Sequence, residues 1–126
     1  MINVKDQVYT ALRDAFEADV LVSDRFPEEF APGLSIVYSE IDNSVELFTD
    51  GAEQLAHLAY EVDIFSTGES TSAAALTVDA TLSALGLVRT LCRDANDLPG
   101  LRCKVMQYEG IIDVNTEEMH HSNEYH

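Results

Sequence analysis

Between Ala56 and Ile64 apolar and polar residues alternate almost without interruption: Ala56, Leu58, Tyr60, Val62 and Ile64 fall in one phase, and His57, Glu61 and Asp63 in the other. That period of two predicts a β-strand with one covered face. The turn Ser66-Thr67-Gly68-Glu69-Ser70 follows, where hydroxyls can satisfy orphan amides and Glu69 lies at the positive end of a helix dipole. The spacing then changes to that of a helix, predicted over Thr71 to Leu91. This helix is apolar on two sides. Ala73, Leu76, Ala80, Ala84, Leu87 and Leu91 form one stripe, and Ala74, Val78, Leu82 and Leu85 form a second, nearly opposite. One stripe is expected on the sheet, and the other must meet a further element of the chain or another subunit.

Upstream, Val4, Val8, Leu12, Ala15 and Phe16 predict an amphipathic helix of about three turns, with Asn3 as its cap. Val20-Leu21-Val22 is either a small strand or a tether across the core. The stretch from Phe26 to Gly33 is expected to be irregular, since Pro27 and Pro32 exclude a regular ladder, while Phe26 and Phe30 can pin it to the body. Leu34 to Ile41 predicts a strand and Asp42-Asn43-Ser44 a turn. The segment Val45 to Leu55, with Asp50-Gly51 inside it, is either an extra hairpin or a projecting arm. Beyond the long helix, Cys92 to Gly100 reads as a linker, and Leu101 to Tyr108 as a strand that continues to Val114 after a bulge or bend at Gly110. Strands flanking the long helix would run parallel if adjacent. The expected fold class is therefore α+β, a mixed, mostly antiparallel sheet with two helices packed on one face. Residues 1–114 are expected to form one domain. Residues 115–126, with Glu117, Glu118, His120 and His121, are expected to form a flexible or partner-bound tail.

The charge changes this picture. The chain has 126 residues, 23 acids and seven bases, for a formal net charge of −16. No Lys or Arg lies between Phe26 and Val88, a span that holds eleven acids, whereas Arg89, Arg93, Arg102 and Lys104 crowd into one short region. So negative a surface argues against wrapping nucleic acid or an anionic membrane, both of which need a basic footprint. The uneven split permits a basic patch on one copy to dock an acidic surface on the next, head to tail. No targeting segment is expected at Met1-Ile2-Asn3, and nowhere do about 18 apolar residues run together.

Candidate chemistry is sparse. The sequence has no glycine-rich phosphate loop, His-Glu-x-x-His, Cys-x-x-Cys or Gly-x-Ser-x-Gly. Cys92 and Cys103 are expected to be two buried thiols rather than a disulfide. Together with His120 and His121 they match no recurrent zinc spacing. His57 is expected to be an ordinary surface histidine, and carboxylate pairs such as Glu28-Glu29 or Glu61-Asp63 could serve acid/base catalysis, although in so acidic a chain some pairs must arise by chance. Neither catalytic residues nor a cofactor nor a metal is expected.

Three stretches carry a resemblance: Tyr60-Glu61-Val62-Asp63-Ile64-Phe65-Ser66, Leu85-Gly86-Leu87-Val88-Arg89-Thr90, and Val105-Met106-Gln107-Tyr108-Glu109-Gly110-Ile111-Ile112-Asp113. With the Asp42-Asn43-Ser44 turn and Phe26-Pro27, in that shared order over Tyr9 to Ile112, the chain resembles the tail terminator, or tail completion, proteins of long-tailed phages and prophages. It departs from them where they carry basic residues after the strand-to-helix turn, since this chain has Glu69-Ser70-Thr71-Ser72. The resemblance implies a homohexameric ring that caps the tail tube, ends its polymerisation and joins tail to head, with no cofactor. It places the protein in the virion at the head-tail junction, after assembly in the host cytoplasm. The partners implied are further copies of the chain, the tail tube protein on one face and a head-closure or neck protein on the other; DNA passes through the bore without specific binding, and no membrane is involved. In that setting Val78, Leu82, Leu85 and Arg89 are expected at subunit contacts, and replacing Val78 and Leu82 with Asp should leave a soluble protein without a ring. The arm residues Val45, Glu46, Leu47, Phe48, Asp50 and Glu53 are expected to reach the tube or a neighbour. Two rival readings are another neck, head-closure or contractile-tail connector protein, and a small acidic enzyme or metal-binding domain. Identification of the co-assembling protein would separate the first, and metal analysis the second.

Overall fold

The computed structural model describes residues 4–30, 32–49, 51–68, 70–95, 99–113 and 119–120, with backbone alone for 48–49, 52–54 and 119–120. The alternating stretch lies in β3 (Ala52–Ser66), the central strand of a sheet ordered β1 (Leu21–Ser23), β2 (Leu34–Thr49), β3, β5 (Arg102–Asp113) and β4 (Val88–Asp94). A two-residue β6 (Met119–His120) pairs with Ile111 and Ile112 of β5. Only β1 and β2 are parallel; every other pairing is antiparallel. With α1 (Lys5–Ala15) and α2 (Ser72–Ala84), the chain is an α+β protein with a mixed, mostly antiparallel sheet, as its patterning predicts. The parallel pairing expected across the long helix is not found: the two strands expected to flank it, β3 and β5, are neighbours but antiparallel, because the unexpected strand β4 intervenes in the chain. Both β3 and β4 run against β5, which lies between them.

One alternation phase of the sheet supplies the core. Ile36 and Tyr38 of β2, Ala56 to Ile64 of β3 in steps of two, and Met106, Tyr108 and Ile112 of β5 form a single cluster with Val4, Val8 and Leu12 at α1 and Ala74, Ala75, Val78 and Leu82 of α2. Three tyrosines lie in this apolar layer, and the two that are wholly buried each have a carboxylate partner. Tyr60 donates to Glu40 Oε1 at 3.0 Å and Tyr108 to Asp79 Oδ1 at 2.9 Å. Burial pushes both phenols well above their ordinary range, and the adjoining carboxylates add to it.

Four boundaries differ from the sequence expectation, each for a local reason. The helix α2 stops at Ala84 rather than Leu91 because Gly86 takes φ 93°. Gly86 N–H then bonds Ser83 O at 2.9 Å and Leu87 N–H bonds Leu82 O at 3.2 Å, the pairing of a Schellman stop. Val88 to Asp94, expected as helix and linker, is released as the edge strand β4, which carries the β-branched Val88 and Thr90. The chain does not turn at Asp42-Asn43-Ser44. The β2 strand runs on to Thr49 through a register shift between Glu40 and Asp42, and the polar side chains bond locally, Asn43 Nδ2 to Glu40 Oε1 at 3.3 Å and Ser44 Oγ to Asp42 Oδ2 at 3.0 Å. Gly110 makes no bend either, pairing in register with Leu58 inside an unbroken β5.

At the other end of the chain, α1 has Val4 at its cap position with no side-chain cap bond; the expected cap Asn3 lies outside the described residues, as does most of the expected tail 115–126. Of the expected apolar stripe, Val4, Val8 and Leu12 are sealed, Phe16 is partly buried and Ala15 is exposed. Arg13 Nη1 donates to Val20 O at 2.6 Å and Nη2 to Glu17 O, which tethers the turn that feeds β1.

Candidate assembly surfaces

The two stripes of the long helix part as periodicity suggests only as far as Ala84, since Leu87 of the first stripe lies past the helix end and is buried in the core while Leu91 is on β4, and the inner stripe is the one expected at subunit contacts. Val78 and Leu82 are wholly buried in the chain's own core, and Leu85 packs partly buried against it. Neither Val78 nor Leu82 has surface to offer a neighbour, so Asp at these positions would strike the core and not a ring contact. A helix apolar all round does not indicate which side the sheet takes. The outward stripe is Ala73, Leu76, Ala80 and Ala84, all exposed, with Leu76 at 74%. Arg89 lies on β4 instead of the helix and pairs with Asp79 of α2, Nη1 to Oδ1 at 3.3 Å. Between α2 and this edge strand lies a cavity of about 260 Å³, floored by Ala75, Leu76, Cys92 and Met106.

The segment Val45 to Leu55 forms the distal part of the β2–β3 hairpin, a continuation of the main sheet instead of an extra one. Thr49 pairs with Ala52, so the chain reverses between them, with Gly51 at φ 76°. This is the two-residue loop that an Asp-Gly pair favours. Among the described residues, β3 is paired with β5 only from Leu55 onward. At that end of the ladder Val45, opposite Ala56, and Leu47, opposite Leu55, are 52% and 47% exposed beside the exposed Glu46. Phe48 and Glu53 face each other in the ladder; their side chains, and Asp50 as a whole, lie outside the described residues.

The basic region is less basic than its sequence. Lys104 Nζ meets Asp94 Oδ1 at 2.9 Å, a hydrogen bond that raises the ammonium pKa. With Arg89 held by Asp79, only Arg93 and Arg102 of the four lack an ion pair among the described residues. A cavity of about 570 Å³ beside Arg102 and Lys104 is rimmed by Thr67, Ser70 and Ser72 at the start of α2.

The opposite phase of the sheet forms an outer face. The Pro-containing loop covers one end of it, as expected: the rings of Phe26 and Phe30 sit 5.7 Å and 4.6 Å from that of Phe65. Farther along, His57 is not the isolated surface histidine of the sequence reading. Its Nδ1 lies 2.7 Å from Asp42 Oδ2 on β2, and its Nε2 lies 3.9 Å from Glu109 Oε1 on β5. The hydrogen bond from His57, then that from Ser44, holds the Asp42 carboxyl below its ordinary range. This bridge was invisible in sequence because it depends on the register shift that turns Asp42 onto the outer face. Midway along the face, Gln107 donates to Glu61 at 3.0 Å beside a buried Asp63.

Cys92 and Cys103 are not joined, and their registers with Met106 and Phe65 put them on opposite faces. Cys92 is exposed, contrary to the expectation of burial. Among the described residues no three His, Cys, Asp or Glu are grouped as metal ligands, and no helix is long and apolar enough to cross a membrane. A scan of the chain against protein-family models finds no match, and no curated protein matches it.

Proposed function

We propose that the chain is a structural subunit of the tail terminator type, six copies of which close a ring that caps a phage tail tube, stops its growth and joins it to the head. The hairpin arm carries this reading. A strand pair of 16 and 15 residues holds Val45 and Leu47 half exposed at its distal end, opposite Ala56 and Leu55. Aliphatic surface of this kind is costly to hydrate, at about 25 cal/mol per Å², and that cost is relieved when a neighbour covers it. The outward stripe of α2 with Leu76 supports the same reading and replaces Val78 and Leu82 as the helix's contribution to subunit contacts.

One face of the ring meets the tube protein and the other a head-closure or neck protein. A net charge of −16 suits a bore through which DNA slides, because carboxylates repel phosphate at close range. The role is assembly and requires neither catalysis nor cofactor. Added to polymerising tail tube protein from the same virion, the chain should give tubes closed at one end by a ring in negative-stain images, shorter as more is added. Tubes of unchanged length with bare ends would overturn the proposal.

A further inference from the structure

On the outer face of the sheet Val37, Asp63, Val105 and Arg93 lie in one row across β2, β3, β5 and β4. Asp63 is 8% exposed, flanked by two valines, and its Oδ1 is sealed from solvent with no hydrogen-bond partner. Glu61 stands two residues before it on the same face, its Oε1 accepting from Gln107 Nε2 at 3.0 Å. Two carboxyls can bond each other only if one carries a proton, since ionised carboxylates only accept. Arg93, exposed on the edge strand, has neither a hydrogen bond nor an ion pair among the described residues. The strands bearing Arg93 and Asp63 are about 10 Å apart, with only Val105 between, which an extended arginine can span to a carboxylate.

We propose that Glu61, Asp63 and Arg93 form a proton-operated latch: while a proton is shared by the two carboxyls Arg93 stays free at the sheet edge, and when that proton leaves for solvent the guanidinium crosses Val105 and closes on Asp63. Burial first, and the Glu61 charge second, push the Asp63 carboxyl up to about 7, while Arg93 opposes them, so the latch works near neutral pH. The other groups around the pair do not compete for the role. From β2 come Ser35, Val37 and Ser39, and from β5 Cys103, Val105 and Gln107; the loop over Phe65 carries Arg25, Glu28 and Glu29. Since β4 is the sheet's edge, the proton decides whether Arg93 is available to whatever lies against that edge.

Carboxyl-carbon and arginine-side-chain NMR of the full chain between pH 4 and 9 tests the latch. Asp63 should titrate near 7, and the Arg93 Nε signal should shift with the same midpoint. Arg93→Gln should raise the Asp63 midpoint by about half a unit or more, as loss of a nearby opposite charge does. Asp63→Asn should abolish the Arg93 shift without lowering the thermal midpoint of unfolding. An Asp63 that titrates with the ordinary carboxylates near 4, or an Arg93 signal that ignores it, would overturn the proposal, and both are read on the unsubstituted chain.

Discussion

On the helix side of the sheet Ile36, Val62 and Met106 are sealed beneath α1 and α2, and the hydroxyls of the wholly buried Tyr60 and Tyr108 each donate to a carboxylate. On the other side the same strands carry His57, Glu61, Gln107 and Asp63, and the Phe65 end is covered by Phe26 and Phe30. The inner face is a largely apolar core, and its two wholly buried phenols each have a carboxylate acceptor. The outer face keeps a buried carboxyl with one bare oxygen, a condition better suited to changing state than to holding a fold.

The contrast can be broken most violently on α2, where Leu82 faces in and Leu76 faces out. Leu82→Asp should cost more than about 4 kcal/mol and leave the chain unfolded by circular dichroism, and Leu82→Ala about 2–5 kcal/mol in urea titrations. Leu76→Asp, six residues earlier, should change stability by no more than about 0.5 kcal/mol. Comparable losses at the two positions would erase the distinction between flanks.

A second test uses pH. The Asp63 carboxyl is held up to about 7 in the folded chain against an ordinary value of 3.8. The folded state therefore binds the extra proton between those values, so the stability it provides is complete below pH 4 and is lost as the pH rises through 7. The unfolding midpoint of the natural chain should fall from pH 5 to 8 relative to that of Asp63→Asn; parallel curves would show that the outer face holds no such carboxyl. A smaller effect is expected at the helix stop, where Gly86→Ala should destabilise by about 1 kcal/mol, because φ 93° suits glycine and strains alanine.

Alternation and helical spacing made the inner face legible: Ala56 to Ile64, Val4-Val8-Leu12 and Ala74-Val78-Leu82 are what lies in the core. Asp50-Gly51 likewise marked the hairpin tip. The outer face was hidden for physical reasons. Polar residues at 42–44 have the composition of a turn, and only pairing with β3 makes them a bulge that delivers Asp42 to His57. Gly86 stood in the middle of an apolar helical pattern, so its left-handed φ and the strand beyond it were not apparent. The choice of Val78 and Leu82 for contacts failed because two apolar stripes on one helix are equivalent until the sheet takes one of them. The pairing of Glu61 with Asp63 could be read from spacing, but the burial that makes it unusual comes from Val37 and Val105 on neighbouring strands.

The central claim, that the hairpin arm is covered by another molecule, is tested most directly by native mass measurement of the natural chain beside Val45→Asp/Leu47→Asp. The natural chain should have the mass of six copies, and the double substitution that of one copy with an unfolding midpoint essentially unchanged. A natural chain that stays monomeric at every concentration and salt level, or a hexamer indifferent to both aspartates, would contradict it.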